Sequence, residues 1–242
     1  MSIESQPDDD VSQAPQNAVG VSRDVLARGD VMSLARQRDG AATTVLTDEE
    51  LLASRRACLP DDYDEDVWVF GYGSLIWNPV VQYVEARDAL IHGFHRRFCM
   101  WTKIGRGSPE CPGLVLALDN GGSTKGVIFR IPAKIAIQEI DILWRREMMA
   151  DSYRPVWLSA KTDKGSVRAL SFAIRRNRPV FAPRMSDAQM AKIIYQAKGF
   201  VGPCKEYLLN TQKALLEAGI YDKQMVRLTH LVEQLEEAAI RT

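Results

Sequence analysis

The sequence has no excess of charge of either sign and no long apolar run. Its 242 residues contain 31 lysines and arginines and 31 aspartates and glutamates. A chain without a net charge has no general attraction for nucleic acid or for an anionic membrane surface. No stretch approaches the roughly 18 apolar residues that cross a bilayer, and the acidic N-terminus lacks the pattern of an export signal. We therefore expect a soluble, cytoplasmic protein whose partner is a small molecule, with no nucleic acid and no membrane.

Cysteine and histidine are scarce, and their spacing is unlike that of a metal centre. The four cysteines form no C-x-x-C pair, which argues against a zinc ribbon and gives no disulfide framework. They are Cys58, Cys99, Cys111 and Cys204. His92 and His95 lie three residues apart, with Cys99 four further on, but they fall in an apparent passage from loop to strand. We therefore expect reduced thiols and no bound metal.

Composition divides the chain into three parts. Residues 1–20 are rich in Ser, Gln, Asp and Pro, so burial could not offset the entropy lost on ordering them, and we expect a disordered tail. Residues 21–60 contain two short helical patterns, the second beginning at Thr47, whose hydroxyl can form a capping box with Glu50. We expect this helical N-terminal extension to pack on a main domain formed by residues 61–242.

From residue 67 onward, short apolar runs separated by glycine and proline predict strands. The seven runs are residues 67–70, 90–91, 98–101, 114–118, 126–131, 156–160 and 169–174. After the fifth run, apolar residues recur every three or four positions over residues 133–148, which predicts a helix. Three more helices are expected. The first opens with a capping-box pattern at Ser186 and is stopped by Gly199, and the other two begin near Pro203 and Asp222. This order indicates an α+β domain around a mixed sheet or small barrel, with a C-terminal helical segment.

The sharpest local feature is residues 67–75, where an apolar strand runs into Gly71 and Gly73 on either side of Tyr72. Glycines let the backbone approach a ligand and turn several N–H groups toward it, which suits a carboxylate or a phosphate. The third glycine of a dinucleotide motif is replaced by Ile76, and no Gly-Lys-Ser/Thr P-loop is present. The alternative is a strand that simply ends in a glycine turn.

Glu147 lies seven residues after Ile140 and three after Trp144, on or beside the apolar stripe of the predicted helix. A carboxylate there is at least partly buried. Burial raises its pKa, which suits a proton acceptor working near neutrality. The alternative is a structural glutamate paired with a nearby arginine. The candidates are Arg145, Arg146 and Arg154.

Two hydroxyl side chains complete the set of candidates. Ser74 is not expected to be a nucleophile, because the sequence lacks G-x-S-x-G and His230 falls in the last predicted helix, so hydrogen bonding is its expected role. Tyr207 follows Pro203 in a predicted helix and either presents its hydroxyl to a ligand or packs its ring. The sequence alone favours packing.

The run V-F-G-Y-G-S-L-I-W-N-P at residues 69–79 closely resembles the signature of the ChaC family of γ-glutamylcyclotransferases. The resemblance continues in five further segments. They are H-R-R-F at 95–98, C-P-G-L-V-L-A-L at 111–118, G-V-I-F-R at 126–130, L-W-R-R-E at 143–147 followed by Y-R at 153–154, and K-E-Y-L at 205–208. Residues 1–60 lie outside the resemblance.

The resemblance implies a small mixed β-barrel flanked by helices and an intramolecular cyclisation of the γ-glutamyl group of glutathione, which releases 5-oxoproline and Cys-Gly. The implied reaction requires no metal and no cofactor. Glu147 matches the catalytic glutamate of the family, and Tyr207 is taken as a further substrate-binding residue. The residues that match the loop holding the γ-glutamyl group are Val69, Phe70, Gly71, Tyr72, Gly73, Ser74 and Leu75.

One departure from the family lies directly after Glu147, where E-M-M-A-D-S-Y at residues 147–153 replaces a glycine-containing turn. We therefore expect the turn, and with it the leaving-group preference, to differ. Two alternatives stay open: a cyclotransferase for other γ-glutamyl peptides or amines, and a non-catalytic regulator of cation transport. A regulator would have no physical need of a buried Glu147 facing a glycine loop.

Overall fold

The computed structural model describes residues 22–28 and 45–241, so the disordered tail expected over residues 1–20 lies outside the described residues. The helices are α1 (Arg23–Ala27), α2 (Asp48–Cys58), α3 (Ser74–Trp77), α4 (Ala133–Glu147), α5 (Asp187–Gln196), α6 (Cys204–Glu217) and α7 (Lys223–Ile240). The strands are β1 (Val67–Gly71), β2 (Glu85–Thr102), β3 (Gly113–Ile131), β4 (Tyr153–Thr162), β5 (Gly165–Ile174), β6 (Lys198–Gly199) and β7 (Gly202–Pro203). None of these helices is long and apolar enough to cross a membrane.

The first five strands close into a barrel in the order β1-β3-β2-β4-β5. β1 runs antiparallel to β3 and parallel to β5, so the sheet is mixed. Trp68 and Val69 of β1 pair with Ala169 and Leu170 of β5, and this contact closes the barrel. The α+β barrel with flanking helices is therefore confirmed.

The strands are fewer and longer than the apolar runs predict. The two runs within residues 90–101 both belong to β2, and the two within residues 114–131 both belong to β3. These strands pair with each other over nearly their whole length, with a register shift at Gly93, which has a φ of +84°. Residues 120–123 are polar or glycine and face solvent. Gly121 and Gly122 have φ angles of +92° and +72° and lie opposite the register shift at Gly93. Solvent exposure and this local irregularity together interrupt the apolar pattern, although β3 continues beyond them.

The helix between β3 and β4 packs its apolar stripe against the barrel. Ile140, Leu143 and Trp144 of α4 are each at most 1% exposed. The ring of Trp144 meets Phe172 edge-on at 5.3 Å, and its indole N–H donates to Ser54 Oγ of α2 at 2.7 Å. The predicted helix over residues 133–148 is confirmed, and the same helix joins the barrel to the N-terminal extension.

Local start signals describe the remaining helices well. The capping boxes expected at Thr47 and Ser186 are both present. Asp222 caps α7 with its side chain. One expected end is wrong: α5 stops at Gln196 rather than at Gly199, because Gly199 enters the short hairpin formed by β6 and β7.

Candidate active site

A cavity of about 160 Å³ lies where β1 ends, between the loop that follows it, the end of α4 and the first turn of α6. Six of the residues expected at the site line it: Tyr72, Gly73, Ser74, Leu75, Glu147 and Tyr207. Val69, Phe70 and Gly71 lie behind them in β1 and pair with β3. The side chains of Val69 and Phe70 are at most 1% exposed, within the apolar core.

At both glycines of this segment, neighbouring atoms leave little space for a side chain. A Cβ at Gly73 would lie 3.2 Å from the hydroxyl oxygen of Tyr207, on the opposite wall of the cavity. A Cβ at Gly71 would lie 3.1 Å from the Cβ of Leu75 and 3.2 Å from the ring of Phe129. Neither φ is positive, so the constraint at these positions is one of space rather than of a positive φ.

A buried arginine fixes the loop from behind. The side chain of Arg96 is 3% exposed, and its Nη1 donates to the carbonyl oxygens of Tyr72 at 2.8 Å and of Lys125 at 3.1 Å. Its Nε donates to Asp222 Oδ2 at 3.1 Å. Because Asp222 also caps α7, one side chain joins the loop, β3 and the last helix. These hydrogen bonds tie the loop to the barrel and to the last helix.

Glu147 is the last residue of α4, and its side chain is 13% exposed at the cavity wall. Burial raises the pKa of this carboxyl, and the nearby charge of Arg146 partly offsets the effect. Arg146 Nε lies 3.1 Å from Glu147 Oε1. Both interpretations of Glu147 therefore describe real contacts: it pairs with an arginine, and it lines the cavity as a buried acid.

Arg146 joins the carboxylate to the loop. Its Nη2 donates to Ser74 Oγ at 2.8 Å, and its Nη1 donates in a short hydrogen bond to the carbonyl oxygen of Asn78. The Ser74 hydroxyl thus accepts a hydrogen bond, in line with its expected role. One planar guanidinium contacts the loop, the segment after α3 and Glu147 together, a geometry that suits arginine rather than lysine.

Three tyrosines surround the carboxylate. Tyr72, Tyr153 and Tyr207 are 7%, 7% and 8% exposed and all line the cavity. Burial above all, and the nearby negative charge of Glu147, raise the pKa of each phenol, so the hydroxyls stay protonated and can donate hydrogen bonds. Tyr207 also packs its ring edge-on to Trp77 at 6.5 Å, so it both packs and presents a hydroxyl.

Sequence reasoning missed half of the cavity wall: Met100, Val115, Leu116, Arg146, Tyr153 and Phe172. Most of these side chains come from strands β2 to β5 and meet only when the barrel closes. The sequence indicates Arg146 only as a candidate ion-pair partner of Glu147. Its position next to that glutamate was the one available signal.

The expectation of no metal site concerns His92, His95 and Cys99. Over residues 22–28 and 45–241, no group of three or more His, Cys, Asp or Glu side chains could hold a metal ion. His95 Nδ1 instead lies 2.8 Å from the carbonyl oxygen of Gly121, in a hydrogen bond.

Comparison with known proteins covers the whole barrel and the C-terminal helices. The model of the ChaC-like protein family matches residues 67–235. The chain belongs to the ChaC-like family. Every residue that lines the cavity falls within the ChaC-like match, whereas α1 and α2 fall outside it.

Relatives of the ChaC-like chain carry a shared functional name. The glutathione-specific γ-glutamylcyclotransferase of Escherichia coli K12 is 36% identical over 185 residues, which cover 76% of this chain and 79% of that protein. The enzyme of the same name from Schizosaccharomyces pombe is 36% identical over 167 residues, covering 62% of this chain and 82% of that protein. A crystal structure of the yeast cyclotransferase specific to glutathione has a TM-score of 0.63 at 23% identity, covering 70% of this chain and 96% of that one. The last comparison confirms the ChaC-like fold.

Proposed function

We propose that this chain is a γ-glutamylcyclotransferase that acts on glutathione. The observation that carries the proposal is the position of Glu147, a largely buried acid with a raised pKa, in a cavity that the Gly73–Ser74 loop also lines. The functional name shared by the relatives supports the same reaction. We include in the proposal that residues 61–242 form the catalytic domain.

The reaction is an intramolecular amide exchange. The α-amine nitrogen of the γ-glutamyl group attacks its own γ-carbonyl carbon, forming the C–N bond of a five-membered lactam. The C–N bond to the cysteine then breaks, releasing 5-oxoproline and Cys-Gly, and no water is consumed. Holding the chain in a folded, well-aligned conformation can supply roughly 7–11 kcal/mol of the barrier.

Glu147 is proposed as the group that moves the proton. In its ionised form it accepts a proton from the α-ammonium group and frees the nitrogen lone pair. It then returns this proton to the departing amine nitrogen of cysteine. The second proton that the ring nitrogen loses passes to the same amine, which leaves as an ammonium group, so the enzyme ends in its starting state. A general acid and base works best when its pKa lies near the working pH, and burial shifts Glu147 in that direction.

The loop and the tyrosines are proposed to bind the substrate. Backbone N–H groups around Gly73 and Ser74 would bind the α-carboxylate, which needs no full positive charge when several donors converge. The protonated hydroxyl of Tyr207 faces the loop and would stabilise the oxyanion at the γ-carbon. A well-placed donor of this kind contributes about 3–4 kcal/mol to the transition state.

A cytoplasmic location is part of the proposal. Cys58, Cys99, Cys111 and Cys204 are all free thiols. Free cysteines are usual in a reducing compartment, which is also where glutathione is held in its thiol form.

The test is to incubate the purified chain with glutathione and measure 5-oxoproline and Cys-Gly together. We expect equal amounts of both from the wild type and nearly none from Glu147→Gln. Glu206→Gln is the matched control, because Glu206 pairs with Arg106 at 2.9 Å outside the cavity. γ-Glutamyl amino acids and γ-glutamylamines are assayed in parallel. If 5-oxoproline were released faster from one of them than from glutathione, that compound would be assigned as the preferred substrate instead. Release from glutathione by Glu147→Gln at the wild-type rate would contradict the assignment of the base.

A further inference from the structure

Arg23 of α1 lies outside residues 67–235, yet it reaches the segment that follows the substrate loop. Its guanidinium holds both carboxylate oxygens of Glu139, with Nη2 2.6 Å from Oε1. Its Nη1 also donates to the carbonyl oxygen of Val80 at 2.9 Å. The Glu139 side chain is 1% exposed. A cation of the N-terminal extension thus pairs with a buried anion of α4.

Residues 78–82, which we name the connector, run from the end of α3 along α4. The backbone N–H of Gln82 donates to Glu139 Oε2 at 2.8 Å. Between these contacts Val80 is fully buried and has a φ of +56°. A β-branched residue rarely adopts this conformation, and such strain persists only where surrounding contacts enforce it. Arg23 and Glu139 supply those contacts.

The connector also contacts the catalytic machinery. Arg146 donates to the carbonyl oxygen of Asn78, the first residue of the connector, and to Ser74 Oγ in the loop. The same guanidinium pairs with Glu147. A relaxed connector would move the Asn78 carbonyl, so that Arg146 would lose its alignment with both the loop and the carboxylate.

The N-terminal extension holds the other side of Glu147 as well. The backbone N–H of Leu46 donates to the carbonyl oxygen of Met149 at 2.9 Å, and Val45 forms an antiparallel bridge with Ala150. These contacts fall in the turn whose sequence departs from the glycine-containing pattern of the family. Residues outside the family match therefore contact both the connector and the turn that follows Glu147.

We propose that Arg23 is a positioning residue for the cyclotransferase reaction. With Glu139 it holds the connector in its strained conformation, and the connector aligns Arg146 with Ser74 and Glu147. Arg23 touches no substrate and acts only through these contacts. The inference rests on the proposed function, and it gives the N-terminal extension a part in catalysis.

The test compares Arg23→Gln with Arg55→Gln. Arg55 is the matched control because it lies in the same extension, is 2% exposed and pairs with Asp141 of the same helix at 2.8 Å, but it does not contact the connector. Both variants lose a cation of the N-terminal extension that pairs with a carboxylate of α4. Steady-state kinetics with glutathione are measured well below the melting temperature of each variant, with rates expressed per folded molecule.

We expect Arg23→Gln to lower kcat/KM about tenfold, with a higher KM, because small misplacements of aligned groups are costly to rate. Arg55→Gln is expected to melt earlier and to keep the wild-type KM. A loss of folded protein alone lowers the maximal rate in both variants and leaves KM unchanged. The inference is overturned if Arg23→Gln and Arg55→Gln behave alike, or if KM and kcat of Arg23→Gln stay within about twofold of the wild type.

Two further variants cover the case in which Arg23→Gln fails to fold. Arg23→Lys keeps the charge and should restore part of kcat/KM. The double variant Arg23→Gln/Glu139→Gln removes the unpaired buried charge and still deprives Val80 of its donor, so it should fold and show the raised KM. A wild-type KM in a folded double variant would also overturn the inference. A wild type that releases no 5-oxoproline from glutathione would instead contradict the proposed function.

Discussion

The helix α4 carries two acids whose surroundings differ. Glu139 is 1% exposed and is held by the two-pronged contact with Arg23 and by the backbone N–H of Gln82. Glu147 lies eight residues later, is 13% exposed, and pairs with the single guanidinium of Arg146 at the wall of a cavity. The same residue type on the same helix thus ends in a closed ion pair in one place and in an open pocket in the other.

The difference separates a structural acid from a chemical one. A buried carboxylate whose two oxygens both accept hydrogen bonds from neighbouring chain segments holds those segments together and faces no substrate cavity. Glu147 keeps a raised pKa because burial outweighs its one cationic neighbour. That carboxylate can take up and release a proton during a reaction. Substitutions at the two positions should therefore give opposite results for activity and stability.

The largest expected effect is the loss of turnover in Glu147→Gln. The amide keeps the size of the side chain but cannot accept the substrate proton, so kcat should fall by about 10²–10⁴-fold. Release of 5-oxoproline from glutathione measures it. Thermal unfolding of the same preparation should show no loss of stability. If the variant were inactive because it had unfolded, the contrast with Glu139 would be lost.

Glu139→Gln should behave in the opposite way. Arg23 would lose its anion, and breaking a buried pair of this kind costs about 3 kcal/mol of unfolding free energy. The glutamine carbonyl can still accept from Gln82, so we expect kcat per folded molecule to fall less than about tenfold. Denaturant unfolding and the glutathione assay give the two values. A stable but inactive Glu139→Gln would reverse the roles assigned to the two acids.

Local patterns in the sequence were enough to predict two parts of the site, the glycine loop after β1 and Glu147 at the end of α4. The apolar period of α4 put Glu147 at the edge of its buried stripe. The two glycines marked the loop, and the family resemblance connected them. The α+β class followed from the order of strands and helices, and the barrel followed from the family resemblance. The strand count was not predicted, because solvent-facing polar residues within β2 and β3 broke the apolar pattern.

Contacts between distant segments could not be predicted in this way. Tyr153 and Phe172 reach the cavity only because β4 and β5 close the barrel, and no spacing in the chain records that closure. The pair of Arg23 and Glu139 spans 116 residues and lies partly outside the family match. In the sequence, Arg23 cannot be distinguished from an exposed arginine, because its partner Glu139 becomes apparent only in the folded structure.

Arg146→Lys tests whether the guanidinium of Arg146 links the connector held by Glu139 to the catalytic acid Glu147. Lysine keeps the positive charge but cannot contact Ser74, Asn78 and Glu147 together, so we expect kcat/KM to fall about tenfold. Arg145→Lys is the matched control, because that guanidinium donates to the carbonyl oxygen of Ala27 at 2.8 Å and does not line the cavity. Equal effects of the two substitutions would show that only the charge near the end of α4 matters.

The smallest expected effect is a change in stability with pH. The folded-state pKa of Glu147 is raised by burial, so ionising it costs stability as the pH rises through that value. Glu147→Gln has no such cost and should melt at a higher temperature than the wild type at neutral pH. The gap should close on acidification and vanish below about pH 4.3, the ordinary pKa of a glutamate, where the carboxyl is protonated in both folded and unfolded chains. Melting curves from pH 4 to pH 8 measure it. If the wild type instead melted at a higher temperature than Glu147→Gln at neutral pH and lost that advantage on acidification, the Glu147 carboxylate would be stabilised in its ionised form, and the assignment of Glu147 as a proton carrier would be wrong.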